Sequence, residues 1–388
     1  MMLGLLLARA GVEVVVLEKH ADFLRDFRGD TVHPSTLEII HELGLLDDFL
    51  SRPHQQVSRI LGRIGGDPVV VAEFGHLNLA CPYIAMMPQW DFLDFLADHA
   101  KTYPNFQLRT NAKVTGLIHD GDRIAGVTVE TPEGALQIHS DLVVGADGRG
   151  SAVRDLADLA VQDIGAPMDV LWLRISRKPG DPDDSMGNFN PGNIFVLINR
   201  QDYWQCAYVI PKDGATEVRA QGLDDFRQKI ADAMPFLNDR VNEITSWNDV
   251  KLLTVKVDRL KQWSRPGLLC IGDAAHAMSP VGGVGINLAV QDAVAAANIL
   301  AQPLKTKQLS IDHLRAVQKR RFFPARITQS IQVLVQSRII QRVLASNKPL
   351  NLPLPLRLVQ RWPRLKRWIG YAIGVGVRPE HVKPRTRE

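Results

Sequence analysis

Cysteine is scarce. The chain has three in 388 residues, Cys81, Cys206 and Cys270, far apart and without a CxxC pair. That spacing excludes a disulfide scaffold and a thiolate-built zinc site, and a reducing cytoplasm is the expected compartment. The 11 histidines show no metal-ligand spacing, so no metal is expected. No run approaches the roughly 20 uninterrupted apolar residues of a membrane-spanning helix. Met1 to Ala8 is apolar, but no basic stretch precedes it and Arg9 interrupts it, which argues against a signal peptide. Charge of one sign is missing too: 46 basic against 42 acidic residues leave +4, too little to argue for a nucleic-acid partner.

What is present is ordinary globular material, 45% hydrophobic and 23% charged, in a chain long enough for two or three packed units. Met1 to Ala10 reads as a helix with Leu3, Leu6 and Leu7 on one face, ended by Gly11. Val12 to Leu17 reads as a strand buried on both faces, as in a parallel sheet, and Glu18 follows it. Helix, glycine, apolar strand and terminal acid make up the second half of a dinucleotide-binding βαβ unit, in which the acid accepts hydrogen bonds from ribose hydroxyls. An ordinary strand-end acid is the alternative for Glu18. The first half, a strand and G-x-G-x-x-G, is missing from the chain as read. The expectation is that it lies upstream by roughly 10–20 residues, one short strand plus its loop.

Further along, Arg28-Gly29 sits in a polar loop, and Gln89 precedes an amphipathic helix from Trp90 to about Thr102. Gln89 either points amide donors at a ligand or faces water. Asp141 to Ser151 is a buried strand running into the glycine-flanked Asp147-Gly148, then a helix. This puts Asp147 at the carboxyl end of a parallel strand, where α/β proteins bind ligands, with a tight structural turn as the alternative. Between Val170 and Ile210 the strand candidates read as an antiparallel meander, closed by a helix from Leu223 to Met234. Gly267 to His276 is a strand ending in Gly272-Asp273, and Ala277 to Asn287 is a glycine loop that opens an alanine-rich helix. A strand-end carboxylate beside a helix N-terminus suits a polyol chain and a ring that develops negative charge.

These motifs, in this order from Met1 to about Leu300, resemble the FAD-dependent aromatic hydroxylases, the flavoprotein monooxygenase family that includes para-hydroxybenzoate hydroxylase. The resemblance implies an α/β fold: a Rossmann-like FAD-binding domain, here incomplete, with an inserted antiparallel-sheet substrate domain and a C-terminal helical segment. The expected division is 1–55, 85–155 and 255–305 for FAD, 56–84 and 156–254 for substrate, and 306–388 for the helical segment with its basic tail. It further implies that Glu18 holds the FAD ribose, with Arg28 at the adenosine-diphosphate portion and Gln89 along the ribityl and phosphate portion. Asp147-Gly148 would serve FAD and NAD(P)H, and Gly272-Asp273 the ribityl hydroxyls. Pro280, Gly282, Gly283, Gly285, Ile286 and Asn287 would run beside the flavin ring.

The implied activity is NAD(P)H-consuming hydroxylation of an aromatic or related apolar substrate with O2, through a flavin C4a-hydroperoxide. No side-chain catalyst is assigned, because the chemistry centres on the flavin. His276 is open between a structural role in its loop and a catalytic one. Trp172, Arg174, Trp204 and Tyr208 are substrate-lining candidates by strand position. A dehydrogenase or epoxidase on the same scaffold, or a truncated relic without activity, are the competing readings. From Arg357 to Arg387 nine basic residues stand against Glu380 alone, interleaved with Trp362, Trp368 and Tyr371. A peripheral membrane contact, a dimer contact and a solvated cap are all open there, with Pro363 expected to interrupt any helix.

Overall fold

The computed structural model describes residues 1–24, 31–348, 350, 352 and 354–383, the side chains of 354–356 excepted. The fold is α/β. Helix Met2–Arg9 runs into Gly11, whose φ of +83° turns the chain back as only glycine does readily. Strand Val14–Leu17 follows and pairs in parallel with Phe106–Arg109, Val14 opposite Phe106. It is shorter than expected and is not buried on both faces, since Val15 is 43% exposed. A second parallel pair joins Val143–Gly145 to Leu268–Cys270. Among the described residues, no strand links one pair to the other.

The largest sheet has seven strands. From one edge to the other they are Lys251–Leu253, Met168–Ser176, Tyr203–Pro211, Asn193–Asn199, Met186–Asn190, Arg59–Ile64 and Asp67–Glu73. The expected meander is there, and the Gly65-Gly66 hairpin adds two strands to its edge. The joint between Met186–Asn190 and Arg59–Ile64 is parallel, because the hairpin arrives from a distant part of the chain. Strands Lys113–Asp120, Arg123–Thr131 and Gly134–His139 form a separate antiparallel sheet, unread from sequence.

The two faces of the seven-stranded sheet have different covers. Leu171, Leu173, Phe195, Trp204, Cys206 and Tyr208 pack under helix Leu223–Ala233. The opposite face, with Val170, Ile194, Ala207 and Val209, packs with Val281, Ile340 and Val343. The segment Val281–Lys305, which contains helix Gly285–Lys305, is apolar and long enough to cross a membrane, but most of it is buried inside the protein. Helix Ile311–Val335 continues through a π-helical turn at Gln336–Ile340 into Gln341–Leu344. As expected, the helix does not run on through Pro363: Trp362 is extended between two helices. Pro363 starts helix Pro363–Gly374, where a missing N–H costs little, after Leu354–Arg361 has ended.

One buried ion pair pins the helix-covered face. Arg240 donates to both oxygens of Asp181, at 2.7 and 2.8 Å, and the indole N–H of Trp204 donates to the same carboxylate at 3.0 Å. These bonds, that from Arg240 foremost, hold the Asp181 carboxyl well below the usual carboxylate range. Neutralising the acid leaves the buried guanidinium with only the exposed Asp239 carboxylate, at 2.9 Å from Nε, so Asp181→Asn should cost about 3 kcal/mol of stability. Denaturant unfolding checks this, and an unchanged midpoint would contradict it.

Candidate functional site

The two strands Val143–Gly145 and Leu268–Cys270 lie in register and end at the same level. A ligand site is expected at such shared carboxyl ends. Gly145 packs closely here: a Cβ would lie 3.0 Å from Cys270 Sγ and 3.1 Å from Val153, so a larger residue would have to displace them. Burial pushes the Cys270 thiol up to about 12, so it serves as a small apolar side chain. Past the first strand, Asp147 folds back on its own loop and accepts from the Ser151 hydroxyl and from Val153 N at 3.2 Å. Gly148 follows with φ +87°. In this structure the Asp147 carboxylate therefore holds the turn, while the backbone beyond it carries Arg149 outward.

Past the second strand comes Gly272-Asp273. Asp273 is 28% exposed and faces Arg149 across the gap, Nη2 to Oδ2 at 3.4 Å. The other terminal nitrogen of Arg149 is buried without a protein partner. Arg149 went unassigned in the sequence, although it stands next to the Asp147-Gly148 motif.

Helix Gly285–Lys305 begins beside Asp273. It has no side-chain cap, so the N–H groups of Gly285, Ile286 and Asn287 lack intrahelical acceptors. A Cβ on Gly285 would meet only Asp273 Oδ1, at 3.9 Å, which leaves open space against the helix end. The loop before it is tightly held. Gly283 O accepts from Thr31 Oγ1 at 2.7 Å and lies 3.0 Å from His33 Nε2, and a Cβ on Gly283 would collide with Thr31. Gly282 and Gly283 both have positive φ. The Asn287 side chain is committed elsewhere, its oxygen accepting from Ser35 and Thr36, each at 2.8 Å.

Behind the site lies a buried charge network. Asp292 takes the N–H of Gly272 at 3.0 Å, His276 Nε2 at 2.6 Å and Arg321 Nε at 2.9 Å. Arg321 continues to Glu380 at 3.4 Å. Burial alone would push the Asp292 carboxyl up; the charges and hydrogen bonds of His276 and Arg321 outweigh it and hold the group low. His276 is 1% exposed, which fits the structural side of the two readings left open for it. Three amides on one helix support the loop from behind: Gln329 donates to Ala277 O, Gln332 to Ser279 O and Val281 O, and Gln336 to the Ser279 hydroxyl.

The other expected residues fall as follows. Glu18 ends its strand half-buried and accepts from His20 N at 3.0 Å. Gln89 is the first residue of helix Gln89–Lys101, half-buried. Arg28 lies outside the described residues. The four substrate candidates do not meet. Trp172 and Arg174 share the face that packs toward Val281, with Arg174 stacked 3.9 Å from the Tyr203 ring. Trp204 and Tyr208 belong to the opposite face, buried with Phe226 under the helix, because strand neighbours alternate sides. They are core.

Residues 1–330 match the family model described as FAD binding domain. The chain is 31% identical over 352 residues to 6-methylpretetramide 4-monooxygenase of Streptomyces rimosus, covering 89% of this chain and 84% of that protein. It is 29% identical to rifampicin monooxygenase of Streptomyces venezuelae, covering 73% of this chain but 58% of that one. Among solved structures, pqsL, a probable FAD-dependent monooxygenase from Pseudomonas aeruginosa, superposes with TM-score 0.74 at 21% identity, covering 89% of this chain and 94% of the other. That last likeness concerns the fold. The chain belongs to the FAD-binding family of aromatic monooxygenases. It is an FAD-dependent oxidoreductase.

The residues present fit the flavin. Asp273 offers acceptors to a polyol, Arg149 has a buried donor to spare, and the bare helix end offers N–H groups to a ring that carries negative charge.

His33 ties this loop to pH. Burial lowers its pKa from 6.5 to about 4, only partly opposed by contacts with Ile373 O and Gly283 O. A base with a depressed pKa binds fewer protons folded than unfolded. Its contribution is complete above the unfolded value and is lost as pH falls toward 4, roughly 3 kcal/mol in all. His33→Gln should flatten the fall of Tm between these two pH values relative to the parent. Parallel curves would contradict this.

Proposed function

We propose that the protein is an NAD(P)H-consuming monooxygenase that hydroxylates an electron-rich aromatic substrate. The observation that carries this is the meeting of Asp273, Arg149 and the uncapped N-terminus of helix Gly285–Lys305 at the ends of two parallel strands. The 31% identical relative, itself named for a monooxygenase reaction, supports the same reading.

Bound FAD supplies the chemistry: it passes the electrons of NAD(P)H to O2, so that one oxygen atom enters the substrate and the other leaves as water. The chain's own residues bind, orient and shield. The Asp273 carboxylate accepts from ribityl hydroxyls. The N–H groups of Gly285 to Asn287 stabilise negative charge at the ring edge by preorganised dipoles that need no reorientation during reaction. Glycines 282, 283 and 285 keep side chains out of the ring's plane of approach. Glu18 is assigned to the adenosine ribose and Gln89 to the linking phosphates. The substrate is assigned to the space between the sheet of the inserted domain and the flavin, where closure would exclude water.

Two measurements test this. Turnover with candidate phenols under labelled O2 should add one labelled oxygen to the product, with NAD(P)H consumed in step. Substrate oxidation without incorporation, and with no NAD(P)H consumed, would instead assign a dehydrogenase, and NAD(P)H consumption that yields only hydrogen peroxide would remove the tested phenols as substrates. Asp273→Ala should weaken FAD binding by about 10–100-fold, the worth of a charge-assisted hydrogen bond or two. Undiminished affinity would remove Asp273 from the site.

A further inference from the structure

The helices Leu354–Arg361 and Pro363–Gly374 have one face fixed and one face bare. The fixed face is set by close contacts with the sheet edge Asp67–Glu73. Gln360 bridges Val70, donating to its carbonyl at 2.8 Å and accepting from its N–H at 3.3 Å, and Val359 is buried. Gly370 lies so near the sheet that a Cβ would fall 1.9 Å from Glu73 O. Position 370 therefore points inward. Helical spacing then places Trp368 on the far side and Arg364 and Tyr371 on the side facing away from the sheet, with Arg367 on the flank between them and the sheet edge. The exposures agree: Trp368 is 67% exposed, Tyr371 47%, and both arginines are exposed. Trp362, between the helices, is 55% exposed, and Leu358 on the first helix is 46% exposed, flanked by exposed Arg357 and Arg361.

Two tryptophans standing in water are costly for a folded chain and mark a surface that meets something. The charge around them selects the partner. None of Arg357, Arg361, Arg364, Lys366 and Arg367 has an ion-pair partner among the described residues. The one acid of the segment, Glu380, is buried and taken by Arg320 and Arg321. Unneutralised cations interleaved with tryptophan and tyrosine on one helical face match a lipid–water interface: the rings sit at the headgroup level and the cations meet anionic lipid.

We propose that this face docks the protein on an anionic membrane surface, with the helices lying in the plane of the interface and Trp362 and Trp368 inserted. The other exposed cover would be a second copy of the chain, but a two-fold contact through this face would bring five unpaired cations against their own copies without a facing acid.

The test is co-sedimentation of the FAD-loaded full chain with phosphatidylcholine vesicles, with and without roughly 30 mol % phosphatidylglycerol. Binding should require the anionic lipid, rise at least about tenfold with it, and fall in about 0.5 M salt as the charges are screened. Trp368→Ala should weaken binding by about tenfold, and the pair Arg364→Glu with Arg367→Glu should abolish it. All three residues are exposed, so Tm and flavin content are expected to stay at the parent values and confirm folding. Equal binding to both vesicles, or none to either, overturns the proposal. So does a concentration-dependent dimer that Trp368→Ala dissolves, which would give this face to self-association.

Discussion

The Asp292 carboxylate is the contact on which the rest of the site depends. It is fully buried, and such a charge persists only when its neighbours supply donors and opposite charge. Here those neighbours come from three places: the Gly272 N–H at a strand end, His276 from the loop beyond it, and Arg321 from the following long helix. Arg321 then reaches Glu380 near the end of the described chain. One buried group thus fixes where the strand stops, where Asp273 emerges, and how helix Gly285–Lys305 is seated against Ile311–Val335. A loop rich in glycine would otherwise have little to define it, and the three glutamine amides behind it serve the same end.

Rigidity behind the loop has a counterpart in openness before it. Glycines 272, 283 and 285 each serve a different constraint: close contact with Ala289, clearance of Thr31, and open space beside Asp273. The donors facing that space are backbone groups of a 21-residue helix, which cannot rotate away as side chains do. A site for a planar, partly anionic ring needs this combination, and needs no nucleophile or acid–base pair of its own.

The motifs that could be read in the sequence are local. A short apolar strand running into Gly-Asp, then a glycine loop and an alanine-rich helix, needs no distant partner to be recognised. What went unread depends on distance. Arg321 sits in the run Lys319-Arg320-Arg321, which reads as a solvated basic stretch, and only the fold shows that its middle neighbour is half-exposed while Arg321 is buried. Asp292 likewise looks like a lone charge in a mostly apolar helix. Trp204 and Tyr208 failed as substrate candidates for a related reason. Strand Tyr203–Pro211 is buried almost throughout, so its sequence has no polar alternation to tell one face from the other. Pro363, by contrast, was legible locally: it ends the run of one helix and starts the next.

A structure of the protein with FAD bound tests the central claim most directly. The account predicts the ribityl chain on Asp273 and the pyrimidine edge of the ring within hydrogen-bond distance of the N–H groups of Gly285 to Asn287. A flavin bound elsewhere, with that helix end still open, would contradict it.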